Sequence, residues 1–95
     1  MPTYELTEAP SFRDKVEPVY PPEERARGIE GTVRLEVLID ARGKVRRVRV
    51  LEAPSKALAL AAVAALKESR FRPGMIQDTP VPVRVNIPYR FLLNG

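Results

Sequence analysis

The stretch TPVPVRVNIPYRFLL, Thr79 to Leu93, decides how the rest of this chain folds. From Val81 to Leu93 every second residue is apolar, the period of a half-buried strand. Yet Pro80, Pro82 and Pro88 stand inside or beside it. Proline has no N–H for a β-ladder, so the strand belongs at the edge of a sheet. N–H groups point alternately to the two sides of a strand. Pro82 and Pro88 share one parity, so in a regular strand both missing donors lie on the open side. That edge keeps pairing groups at Arg84, Asn86, Arg90 and Leu92. Val81, Val83, Val85, Ile87, Tyr89, Phe91 and Leu93 face a core. Two short windows remain where an extended peptide can add as a further strand. The same prolines also serve plain protection against stacking with another sheet, with no ligand involved.

Two partner strands lie upstream. TVRLEVLID (Thr32 to Asp40) alternates, with Val33, Leu35, Val37 and Ile39 on one face. Asp40-Ala41-Arg42-Gly43 reads as a turn with glycine where φ is positive. KVRRVRVLE (Lys44 to Glu52) returns, with Val48 and Val50 inward and Arg47 and Arg49 outward. Val45 is out of phase with these two valines, which predicts a bulge there.

Helices flank the hairpin. VYPPEERARGIEG (Val19 to Gly31) has proline in its first turn, acids before bases, then glycine, the signature of a short helix with its stop. Ser55 is placed to cap a longer helix from Lys56 to about Arg70. Leu58, Ala62, Ala65, Leu66 and Ser69 share one face of it at helical spacing, and Leu60 falls on the other. A helix returning from the second strand delivers the third parallel to it, hence antiparallel beside the first. The fold class is therefore α+β: a three-stranded antiparallel sheet, order 2-1-3, with one short and one long helix packed on one face. Residues 1–18 are polar with scattered proline and read as a linker or loosely docked arm. Residues 19–95 form the domain.

The composition limits function. A chain of 95 residues makes one domain. It has neither Cys nor His, which removes thiol chemistry, histidine general-base catalysis and the usual zinc ligand sets. No phosphate-binding glycine loop is present, and GIEG (Gly28 to Gly31) is too short to be one. The carboxylates are dispersed among arginines. No enzyme, metal or cofactor is expected. No apolar run approaches a membrane span. The net charge of +4 favours anionic partners. The open sheet face carries Arg34, Arg47, Arg49, Arg84 and Arg90, with Glu36, Leu38 and Asn86. A solvated surface explains these arginines, and so does an anion-binding face for nucleic acid, peptidoglycan or acidic lipid. The strand's aromatics point inward, so base stacking of the RRM kind is absent and nucleic acid is not expected.

Several segments taken together carry a family resemblance: Tyr20-Pro21, GIEGTVRLEVLID (Gly28 to Asp40), GKVRRVRVLEAPS (Gly43 to Ser55), RFRPG (Arg70 to Gly74) and PVRVNIPYRF (Pro82 to Phe91). In order and spacing they resemble the TonB C-terminal domain family over about four-fifths of the chain. The resemblance implies a periplasmic domain of an energy transducer anchored in the inner membrane beside an ExbB–ExbD proton channel. It implies a partner too: the TonB box, an extended segment of outer-membrane receptors for siderophores or cobalamin. The box adds as a strand to the last strand. The implied site is Arg84, Val85, Asn86, Ile87, Tyr89, Arg90 and Leu92, with Glu17, Pro18, Val19, Tyr20 and Pro21 before and at the Tyr-Pro motif. Departures from the family pattern are Glu17 and Val19 where glutamine is familiar, Ser69 for an aromatic, Ala59 for an acid and Glu24 for a small residue. The anchor and spacer are absent from this sequence, which suggests an excised domain or a free-standing relative. An open edge also invites pairing of two copies into a homodimer.

Overall fold

A computed structural model describes residues 9–93. It is an α+β arrangement of antiparallel sheets and two helices. The elements in chain order are β1 (Ser11–Asp14), α1 (Pro22–Ala26), β2 (Gly31–Ile39), β3 (Val45–Glu52), α2 (Lys56–Glu68), β4 (Arg70–Arg72), β5 (Gly74–Ile76), β6 (Thr79–Val81) and β7 (Val83–Phe91). The central sheet runs β3-β2-β7, with both pairings antiparallel.

β2 sits in the middle, and its alternation shows why. Val33, Leu35, Val37 and Ile39 are wholly buried. Each such burial contributes about 1.5–3 kcal/mol. Leu58, Ala62, Ala65 and Leu66 of α2 pack on that face, while Leu60 is 61% exposed on the far side of the helix. Ser55 caps α2, its Oγ accepting the Leu58 N–H at 3.2 Å.

The hairpin turn forms at Asp40–Gly43. Asp40 Oδ1 accepts the N–H groups of Arg42 at 2.8 Å and Lys44 at 2.9 Å. Gly43 takes φ +83°. A Cβ there would lie 1.9 Å from the Phe71 carbonyl oxygen. The bulge expected at Val45 is present, because Leu38 pairs Arg47 while Ile39 pairs Val45, leaving Arg46 over. A second slip was not foreseen. Arg34 pairs Glu52 and Leu35 pairs Val50, so Leu51 is the extra residue.

Three expectations are corrected. First, α2 stops at Glu68 rather than Arg70. Ser69 turns extended and is wholly buried, and Arg70–Arg72 becomes β4. Second, residues read as part of a linker or loose arm contain β1, which pairs antiparallel with β4. The Phe12 ring lies on Phe71, centroids 4.4 Å apart and 29° from parallel. Third, the C-terminal stretch is two strands, not one. β6 turns back on β5 through Gln77 and Asp78, both at positive φ as a two-residue hairpin turn requires. Pro82 falls at the junction between β6 and β7, so it is not a missing donor in a ladder. Pro88 alone is a proline inside the edge strand, aligned with Arg34.

Candidate functional site

β7 pairs with β2 in unbroken register over nine residues, from Ile39↔Val83 to Gly31↔Phe91. Its other side has no strand beside it among the described residues. In an antiparallel ladder, bonded and non-bonded pairs alternate. Pro88 cannot donate, so Arg34↔Pro88 is a non-bonded pair and the even-numbered residues of β7 present their main chain outward. The free donors are the N–H groups of Arg84, Asn86 and Arg90. β7 ends at Phe91, so Leu92 lies just past the strand, exposed. There the Leu93 N–H donates to Glu30 Oε1 at 2.8 Å.

The central sheet has a second open edge, that of β3. It is bulged twice and carries Arg46, Arg47 and Arg49. Bulges are one way an edge is made unfit for regular pairing. β7 is the flat edge, with only the Pro88 gap.

The side chains of β7 divide by parity. Arg84, Asn86 and Arg90 are exposed on the open face, and Val85 and Ile87 are half-buried toward the helices. Tyr89 faces the core, as its parity in the strand predicts, and is only 2% exposed. Its hydroxyl is buried beside Ser69 without a hydrogen bond of ordinary geometry. Burial raises its pKa, and the Ser69 hydroxyl partly opposes this.

Lys15 and Tyr20 reach β7 residues on its helix side, while Val16, Glu17, Pro18 and Val19 line a shallow groove with Ala61, Ala64 and Ala65 of α2. The Lys15 ammonium stands 5.6 Å from the Tyr89 ring centre and 5.3 Å from that of Phe12. Tyr20 meets Phe91 edge-on, centroids 5.4 Å apart, and its hydroxyl donates to the Ile29 carbonyl. Pro21 precedes α1 as its N-cap. Val19 is 79% exposed, and Glu17 lies 3.8 Å from Lys15. The structure therefore brings the Tyr-Pro segment to the same end of the molecule as the β7 edge. Sequence reasoning missed Lys15, for which no periodic signal exists.

On the open face, Leu38 of β2 stands between its register partners Arg47 and Arg84. Glu36 pairs Arg49 at 3.3 Å and Glu52 pairs Arg34 at 3.8 Å. The anion-face arginines thus share one surface, partly neutralised. No group of side chains suited to a metal ion occurs among the described residues. No helix there is long and apolar enough to cross a membrane.

An α+β domain with one flat, unpaired sheet edge is a scaffold for strand addition. Residues 16–93 match the family described as Gram-negative bacterial TonB protein C-terminal, and the chain belongs to that family. It is 38% identical over 98 residues to Protein TonB of Vibrio cholerae serotype O1, with 95% of this chain covered. The chain spans 40% of that relative's length. Its fold is similar to the solution structure of the Pseudomonas aeruginosa TonB C-terminal domain, with TM-score 0.75, 28% identity and coverage of 90% of this chain and 88% of that one. It is also similar to the Helicobacter pylori TonB C-terminal domain, with TM-score 0.61, 29% identity and 79% of each chain covered.

Proposed function

We propose that this domain is the receptor-engaging end of a TonB-type energy transducer, and that an extended peptide of an outer-membrane receptor adds as a strand along β7. The observation that carries the reading is the asymmetry of the two sheet edges. β3 is bulged twice, whereas β7 is regular, with outward donors at Arg84, Asn86 and Arg90. Main-chain bonds supply grip, and alternate side chains supply preference. Glu17, Val19, Tyr20 and Pro21 flank the helix side of the added strand, with Val19 exposed to meet it. Val85 and Ile87 contribute the apolar floor, and Tyr89 acts from within by fixing the strand.

In this reading the domain works in the periplasm and catalyses nothing. Its parent protein is anchored in the inner membrane beside ExbB–ExbD. Proton-motive energy is passed as force through the strand joint to a nutrient receptor. Perpendicular main-chain bonds loaded together resist a pull along the strand, which suits a joint of this kind.

Amide NMR titration with a strand-forming receptor peptide, at low and moderate salt, tests the proposal. Shifts concentrated at residues 84–91 and 17–21 that survive salt are expected. Shifts confined to Arg34, Arg47 and Arg49 that vanish with salt would overturn it in favour of an anion-binding face.

A further inference from the structure

We infer that the added strand is selected by charge: it carries acidic residues six positions apart, facing Arg84 and Arg90, on the side of the open sheet face. This rests on strand addition at β7 and states what that edge prefers.

Residues directly opposite each other in a sheet place their side chains on the same face. Partner residues facing Arg84 and Arg90 therefore project onto the open face with these arginines. The spacing of six holds whether the incoming strand runs parallel or antiparallel. Each arginine also borders its own shallow basin on that face. Arg84 closes one of about 210 Å³ with Glu36, Leu38, Arg47 and Arg49. Arg90 closes one of about 390 Å³ with Thr32, Arg34, Leu51 and Pro88. In the first basin three guanidinium groups stand against one carboxylate. That carboxylate, Glu36, is engaged with Arg49, which leaves Arg47 and Arg84 without an ion pair among the described residues. Arg90 likewise makes no ion pair among the described residues.

Between the two arginines the row reads Asn86 and Pro88, which offers no charge. The opposite face of β7 offers Val85 and Ile87, half-buried and apolar. The complementary strand is thus apolar at alternate positions on the helix side. On the other side it reads acid, neutral, neutral, acid. An uncharged or basic strand finds the same main-chain donors but leaves both guanidinium groups unanswered, or meets like charge.

Three peptides of equal length decide this. They share alternating apolar residues and carry Glu, Gln or Lys at the two positions six apart. They are titrated by NMR and calorimetry into the domain and into the double variant R84E/R90E. Both arginines are exposed, so the fold of the variant is expected to persist, and its amide spectrum checks that. The Glu peptide should bind about three- to tenfold tighter than the Gln peptide, with the gap closing in salt, as for two exposed ion pairs. The double variant should invert the order and prefer Lys. Glu and Gln peptides that shift the β7 amides with equal affinity would overturn the charge reading and leave strand addition standing. An uninverted order in the double variant would do the same. Failure of all three peptides to shift β7 would overturn strand addition itself.

Discussion

The wholly buried Ser69 hydroxyl accepts the N–H of Val16 at 3.0 Å and donates to the Ala65 carbonyl at 2.9 Å. One hydroxyl thus ends α2 and ties down the strand of chain that leads to Glu17 and Tyr20. Ser69→Ala leaves the Val16 N–H without its partner in a part-buried site. The expected loss is about 1–3 kcal/mol. Hydrogen exchange at residues 16–20 should quicken more than at β2. Uniform quickening across the domain would mean that Ser69 does not tie this segment in particular.

Gly43 and Phe71 are the second such joint. The Phe71 N–H donates to the Gly43 carbonyl at 3.0 Å, so the tip of the β2–β3 hairpin is fastened to β4. Gly43→Ala must place its Cβ against the Phe71 carbonyl at φ +83°. A cost of about 3 kcal/mol or more is expected, the sum of strain and a backbone shift. Gly28→Ala is the control. Its φ is +69° but nothing lies within 4 Å of where a Cβ would sit, so about 1–2 kcal/mol is expected. Equal losses in denaturant unfolding would refute the clash at Gly43.

These joints show where the sequence was legible. Alternation in β2 and β7, the Ser55 cap and the Asp40–Gly43 turn are local signals, each with its own chemistry within a few residues. So was the parity of Pro88. The pairing of β1 with β4 was not, because its apolar contribution is the single ring of Phe12 packing on a residue far along the chain. Ser69 reads as a polar residue on a helical face, and nothing local says that Val16 will need its oxygen. The break at Pro82 was hidden because β6 and β7 keep the same apolar period across it. For the edge, the open donors and their arginines could be read in advance. The nearness of Tyr20 to Phe91 of β7 depends on the path of the chain around α1.

Asp40 links this turn to pH. Its carboxylate accepts the Lys44 and Arg42 N–H groups and lies near Arg46 and Arg42, which together hold its pKa below the ordinary 3.8, led by the Lys44 bond. A depressed carboxylate pKa stabilises the fold above the unfolded value, and this is lost as pH falls through the folded one. Asp40→Asn should therefore be less stable than the parent at about pH 7, and the two should converge on acidification below about pH 4. Urea midpoints of both proteins across that range check it, since the other carboxylates cancel in the difference. A gap that stays constant with pH would show that the Asp40 charge contributes nothing.

Asn86 and Ile87 test the edge itself. Their N–H groups point to opposite sides of β7, outward for Asn86 and to β2 for Ile87, by the parity that Pro88 fixes. Asn86→Pro removes an outward donor and leaves the ladder intact, as edge strands tolerate. Ile87→Pro removes a ladder bond and should cost about 3 kcal/mol or more, enough to unfold a marginal domain. Asn86→Pro should stay folded and bind a strand-forming peptide about tenfold more weakly, from one lost main-chain bond and a second proline gap beside Pro88. Thermal unfolding and peptide titration of the two variants separate the cases. Undiminished peptide affinity in a folded Asn86→Pro protein would mean that the partner strand does not pair with this side of β7. Equal destabilisation by both prolines would mean that the parity is wrong, and with it the assignment of Arg84 and Arg90 as outward donors.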